Sequence, residues 1–403
     1  MRDPASPSSH GQSREPTGES STGRTASDRC PGVFTPHPST DGALARVRLL
    51  GGSITPEQLA VLAHVAAQYG DGFVDLTGRA NVQIRGIADV DAVADALVDA
   101  GLVPSTTHEK VRNIEVSPFT GRVGGLADLR PLAHELDDAL RSDHSLAALS
   151  GRFLFGLDDG HTDIAGGGTD VCAVARSRTD GSVGFDIVVD GEIAGSVADD
   201  SAVTQALLGV AHDFLEVAGS AWRIADLPES ARGDLMAVTR DRLDPPLEPG
   251  ALAPTAGDPR VGWFDQDDGR VLLGAVVELG RLPARLAEFI AAVEAPVVFT
   301  PDREILVCDL GEGVAETVVR VLAPMGLIFD AASPWAQVSS CAGAPGCSRG
   351  LAEVRADVSE RAESGPPVTE REHWVGCDRG CGSPREPHLR VEATSAGYRR
   401  THE

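Results

Sequence analysis

Four cysteines near the C-terminus, spaced Cys341-x5-Cys347 and Cys377-x3-Cys381 with 29 residues between the pairs, put the tightest constraint on the fold of this chain. Two short thiol pairs on two separate loops read as ligands converging on one small inorganic body, and a cubic 4Fe-4S cluster takes four thiolates. Glycine and proline leave both loops free to bend, as Cys341-Ala-Gly-Ala-Pro-Gly-Cys347 and Cys377-Asp-Arg-Gly-Cys381-Gly. A structural zinc site is the competing reading, although zinc loops hold their pairs at x2 to x4 spacing and the x5 gap breaks that pattern.

At 403 residues the chain has room for two or three domains with real cores, and a hydrophobic share of 42% is that of a globular protein. Seven cysteines and no N-terminal apolar run point to a reducing cytoplasm, where free thiols persist to bind metal. No stretch approaches the roughly 18 apolar residues of a membrane helix. A net charge of −25 argues against general nucleic-acid binding, because a phosphate-binding surface would have to overcome that field. It leaves room for a local arginine pocket. Lys110 is the single lysine, which excludes any chemistry needing a pair of active-site lysines.

Residues 1–29 are rich in Ser, Pro, Gly and Thr and read as a disordered tail, and a Pro/Ala/Gly-rich stretch over 244–258 reads as a linker. On the two sides of that linker the same order of elements recurs, which suggests duplication. Residues 45–118 run strand, helix, strand, strand, helix, strand. Thr55-Pro56-Glu57-Gln58 opens the first helix with a capping box and a first-turn proline, Gly70 closes it, and strands follow at 73–76 and 81–87. From Leu273 come a strand, a helix over 282–293, strands at 296–300 and 304–310, and a helix over 314–325. Cys172 and Cys308 sit in apolar strand patterns and read as core residues.

By the period of two, Arg79, Asn81, Gln83 and Arg85 share one strand face while Val82 and Ile84 fill the other. Aligned against this strand, the second copy carries Arg303, Ile305, Val307 and Asp309, so only the first arginine is kept. Binding chemistry is therefore expected on the first copy, with a solvated sheet face as the plain alternative.

Three further motifs accompany the cysteines: Leu76-Thr-Gly-Arg79-Ala-Asn-Val-Gln83-Ile-Arg-Gly86, Val111-Arg112-Asn113-Ile114 and Leu149-Ser-Gly-Arg152-Phe153-Leu154. Together they resemble the nitrite and sulfite reductase superfamily over about residues 30–381. The resemblance implies an α+β fold of duplicated ferredoxin-like half-domains with nitrite/sulfite reductase-like α/β domains about a pseudo-two-fold. The expected division is a half-domain at 30–105, an α/β domain at 106–243, a second half-domain at 259–327, and a cluster-binding segment with C-terminal tail at 328–403. Where the reductases carry a Lys-x-Lys pair that binds and protonates a small oxyanion, this chain has Arg152 and Leu154. Arginine is a poor proton donor near neutral pH and leucine is none.

Cys30-Pro-Gly-Val, Asp41-Gly-Ala-Leu-Ala-Arg-Val-Arg and Arg152-Phe-Leu-Phe-Gly-Leu-Asp158-Asp159-Gly are similar to the precorrin-3B synthase branch of that superfamily. This likeness implies a cytoplasmic monooxygenase of cobalamin synthesis that uses dioxygen to hydroxylate precorrin-3A at C20, with closure of a γ-lactone. It implies a 4Fe-4S cluster on Cys341, Cys347, Cys377 and Cys381, and a mononuclear non-haem iron as well. Substrate carboxylates are expected on Arg79, Arg85, Arg112 and Arg152, with Asn81 and Gln83 as hydrogen-bonding neighbours. Electrons would come from NADH through a reductase or from a ferredoxin, with no nucleic-acid or membrane partner. For the mononuclear iron, Asp158-Asp159-Gly-His161-Thr-Asp163 has suitable ligand types, but spacing alone does not define such a site and a polar glycine-rich loop is the favoured reading. No residue is singled out as catalytic. A siroheme-dependent nitrite or sulfite reductase is the alternative, and a non-catalytic protein using the metal for structure or electron relay is a third reading.

Overall fold

The structure, a computed structural model, describes residue 28 and residues 30–248 and 258–403. The tail reading therefore lies outside the described residues but for Asp28, as does the linker reading over 249–257. Among the described residues no helix is long and apolar enough to cross a membrane.

The first repeat forms as its sequence dictates. Thr55 accepts from the Gln58 amide at 3.2 Å while the Gln58 side chain accepts from the Thr55 amide, and the helix Pro56–Tyr69 follows. Such a cap is worth about 1 kcal/mol. This helix buries Leu59, Leu62 and Val65 and packs on the helix Ala284–Ala291 of the second repeat, which buries Leu286 and Ile290. One continuous hydrophobic core runs through both repeats, so neither is an independent folding unit.

The repeats also exchange strands. The first sheet runs His37–Ser39, Gly42–Val47, Val82–Ile87 and Phe73–Leu76, and is completed by Arg281–Pro283 from the second repeat. The second runs Gly262–Asp265, Val271–Ala275, Ile305–Leu310 and Val297–Phe299, and is completed by Ser53–Ile54 from the first. This reciprocal pairing is the pseudo-two-fold expected from the duplication. The strand expected near residue 118 does not belong to the first repeat: Ile114–Val116 is the edge of a third sheet, with Phe155–Asp158, Val171–Ser177, Val183–Val189 and Glu192–Val197. That sheet and three helices enclose a separate core that includes Phe153, Phe155, Phe185 and Phe214.

Strand register corrects the alignment of the repeats by one residue. Val47 pairs with Val82 as Ala275 pairs with Ile305, and Ala45 with Ile84 as Leu273 with Val307. The turns Thr77–Asn81 and Thr300–Glu304 close in the same way, Thr77 and Thr300 each donating to the carbonyl four residues on. Arg79 thus corresponds to Asp302, Gln83 to Leu306 and Arg85 to Cys308, so the second copy keeps none of these arginines. Cys308 and Cys172 are fully buried strand residues.

In the C-terminal segment, Val338–Ser340, Glu372–Val375 and Leu389–Thr394 lie parallel and Gly397–His402 returns antiparallel. Cys341 follows the first of these strands and Cys377 closely follows its parallel neighbour, so both cysteine loops leave the same edge of the sheet.

Candidate active site

The two cysteine loops meet through glycine. A β-carbon on Gly350 would come within 2.5 Å of the Ala344 amide, and one on Gly376 within 3.2 Å of both Gly343 and Gly350. Only bare backbone packs this closely. The Gly376 amide donates to Cys341 Sγ at 3.2 Å. All four thiols line the wall of one cavity of about 580 Å³ between the first repeat and the C-terminal sheet. Burial, and then the neighbouring Cys341, Cys377 and Cys347, push the Cys381 thiol up from its ordinary value, as expected where four thiols share one place. The wall therefore offers the ligand number of a cubic cluster. Among the described residues no three His, Cys, Asp or Glu side chains close on a point as the ligands of a single metal ion would.

The opposite wall is the polar face of the first repeat. Arg46 and Gln83 are cross-strand partners, and the guanidinium donates to Gln83 Oε1 at 2.7 and 3.2 Å. Among the described residues, nine arginines line the cavity and Asp75 is its one carboxylate-bearing residue. Five of the nine are neutralised within the protein. Arg281 and Arg355 share Asp75, Arg223 holds Asp170, Arg385 grips Glu115, and Arg85 pairs with Asp41.

Three others meet neutral oxygens: Arg46 that of Gln83, Arg79 the carbonyl of Arg152 at 3.0 Å, and Arg303 the carbonyl of Gly382. Burial lowers Arg46, and brings Arg79 and Arg303 down to about 10, because a desolvated cation without a carboxylate is costly. An incoming anion would relieve that cost.

The expected substrate residues fall in different places. Arg79, Gln83 and Arg85 line the cavity. Arg85 is already committed, to Asp41 and to the Gly346 carbonyl beside Cys347 at 2.9 Å, so it positions a cysteine loop. Asn81 does not share their face: it precedes the strand, is 2% exposed, and accepts from the Leu49 amide at 2.9 Å. Arg112 is spent inside the α/β domain on Asp137, with contacts of 2.6 and 3.1 Å. The Arg152 guanidinium stands 5.8 Å from the Trp222 ring, outside the cavity lining, whereas Leu154 does line it. In the Asp158–Asp163 segment, Asp158 accepts from the amides of Gly160, Thr162, Ile164 and Ala165 and so organises the loop. Asp163 is held by Ser117 and Arg260.

Sequence reasoning missed Arg46, Arg223, Arg281, Arg303, Arg355, Arg379 and Arg385. A signal existed for Arg46, which alternates with buried Ala45 and Val47 on the strand next to Gln83. The others converge from distant segments.

Comparison with known proteins agrees with this architecture. Residues 36–100 match the nitrite/sulfite reductase ferredoxin-like half domain. Along its length the chain is 26% identical to a precorrin-3B synthase from Sinorhizobium sp, covering 92% of this chain and 81% of that protein. It is 25% identical to a ferredoxin–nitrite reductase from Synechococcus elongatus, covering 88% and 77%. The solved structure of the Mycobacterium tuberculosis NirA protein shares the fold with a TM-score of 0.74 at 17% identity, over 89% of this chain and 73% of that one. In its exchanged half-domains and in these likenesses, the chain is similar to proteins of the nitrite/sulfite reductase superfamily, and it shares their α+β fold.

Proposed function

We propose that this chain is an oxygenase of the precorrin-3B synthase type, which hydroxylates precorrin-3A at C20 and closes a ring A acetate to the γ-lactone. The observation that carries the reading is the cavity, where nine arginines and one carboxylate surround about 580 Å³ in a chain of net charge −25. A precorrin is a flat macrocycle edged by acetates and propionates, and planar guanidinium forks suit such an edge.

Cys341, Cys347, Cys377 and Cys381 would hold a 4Fe-4S cluster on the cavity wall. When bound, it supplies electrons singly, as dioxygen requires in reacting with a closed-shell molecule. Arg46, Arg79 and Arg303 take ligand carboxylates, and Gln83 fixes the plane of Arg46. Leu44, Leu76, Leu154 and Leu279 give the ring apolar contact and keep water from its faces. The overall change consumes precorrin-3A, dioxygen, two electrons and two protons. One oxygen atom enters the product and the other leaves as water. The electrons come from an external donor, NADH through a reductase or a ferredoxin.

A siroheme-dependent nitrite or sulfite reductase is the second reading, favoured by the likeness to ferredoxin–nitrite reductase. Leu154 in the cavity and Arg152 outside its lining oppose it, since neither can deliver a proton to a small oxyanion there. The spectrum of anaerobically purified protein, with iron and acid-labile sulfide counted on the same sample, decides. A broad sulfide-to-iron band with about four sulfides per chain, followed by oxygen-dependent turnover of precorrin-3A, is expected. Siroheme bands would overturn the oxygenase reading. Cys341→Ser should abolish the cluster spectrum, and an unchanged spectrum would remove that residue from the ligand set.

A further inference from the structure

Arg303 sits where the first repeat has Ala80, and both have a left-handed backbone, φ +64 and +54. That conformation costs a residue with a β-carbon about 1–2 kcal/mol. The arginine uses it to cross the molecule. Its side chain passes over Gly280, where a β-carbon would stand 2.9 Å from Arg303 Cδ, and its Nη2 donates to the Gly382 carbonyl, one residue past Cys381.

Arg85 makes the matching contact on the other cysteine loop, to the Gly346 carbonyl beside Cys347. The two arginines differ in one respect. Arg85 is neutralised by Asp41 at 3.0 Å, whereas the hydrogen-bond partner of Arg303 is a carbonyl. Arg303 thus brings a positive charge, uncancelled by its own partner, to the cysteine wall, and it lines the same cavity as Arg46 and Arg79.

We propose that Arg303 couples occupancy of the cavity by a polycarboxylate to the reduction potential of the cluster. The inference rests on the proposed cluster at the four cysteines. A nearby cation favours the added electron by Coulomb attraction, so the empty cavity raises the potential. A ligand carboxylate drawn to Arg303 cancels that charge and lowers it. By linkage, reduction of the cluster must then weaken ligand binding by the same factor.

The test is an EPR-monitored titration of the one-electron couple with dithionite, on the full chain purified anaerobically. The octacarboxylate uroporphyrin III serves as the ligand probe, and its binding is followed by fluorescence. Uroporphyrin should lower the midpoint potential of the native protein. Arg303→Met should start lower and show less than half of that shift, with iron and sulfide content retained. Arg303→Gln is a second neutral variant should the first not fold, and Arg303→Lys should recover the native behaviour. A neutral variant with native potential and a full ligand shift, cluster intact, would overturn the coupling and leave the cluster reading standing. Absence of acid-labile sulfide from the native protein would overturn both. Failure of uroporphyrin to bind would overturn the polycarboxylate reading and, with it, the coupling.

Discussion

The two repeats present equivalent sheet faces that have been put to opposite uses. On the first, Arg46 and Gln83 line the cavity that the cysteine wall closes on its other side, and Arg85 reaches that wall at the Gly346 carbonyl. Their counterparts on the second are Gly274, Leu306 and Cys308. There Leu272, Val298, Leu306 and Cys308 form a buried apolar patch covered by Phe119 from the α/β domain and Phe264 from the edge strand, with ring centroids 5.0 Å apart. A β-carbon on Gly274 would meet the Arg260 carbonyl at 1.9 Å. Duplication supplies two concave faces. The one lined with arginine and left uncovered can take a ligand, and the other serves as the anchor for a neighbouring domain.

This contrast is most severely tested by making the covered face resemble the open one. Cys308→Arg, which copies Arg85, would bury a cation without Asp41 to receive it, at a cost of about 3–5 kcal/mol. Urea unfolding should show a loss of that size, and a loss under 1 kcal/mol would mean that the second face is not closed. On the open face the expectation reverses. Arg79→Ala or Arg46→Ala should weaken uroporphyrin III binding by about 1.5–3 kcal/mol, the worth of a charged hydrogen bond. Thermal stability should be unchanged or raised, because each removes a desolvated charge that lacks a carboxylate. Unchanged affinity in both variants would end their assignment as carboxylate clamps. Phe119→Ala should cost stability by about 1–3 kcal/mol, less than a fully buried Phe, and leave uroporphyrin affinity alone.

What the sequence reveals about the two faces is uneven for physical reasons. The capping box at Thr55 and the cysteine pairs at the ends of adjacent strands are local, and local patterns are legible. The exchanged strands Ser53–Ile54 and Arg281–Pro283 are too short to show a period, and their pairing joins residues far apart in the chain. A shift of one residue in aligning the repeats exchanges Ala80 for Arg79 as the counterpart of Arg303, and only the strand register fixes it. Arg112 illustrates a second limit. Its carboxylate, Asp137, lies 25 residues away on the helix Arg130–Ser142, and nothing in composition tells an arginine awaiting a ligand from one already paired. The cavity arginines come from seven stretches of the chain, so their convergence is a property of the fold.

The smallest effect expected concerns the loop that abuts the covered face. His161 lies edge-on to Phe119 at 6.4 Å, and its Nδ1 is 2.6 Å from Asp159 Oδ1. The hydrogen bond to Asp159 raises the imidazole above its ordinary value against the opposing effect of burial, and Asp163 and Asp158 add to the rise. A group with a raised folded pKa contributes stability that is fully present below its unfolded value and is lost as pH climbs through the folded value. His161→Gln should therefore be less stable than the native protein near pH 5.5, and the gap should close by about pH 8.5. Because the side chain is about one-third exposed, the gap should stay below about 1 kcal/mol. A difference that persists unchanged to the higher pH would assign His161 to packing against Phe119, and the charge on this loop would then have no part in holding the second face shut.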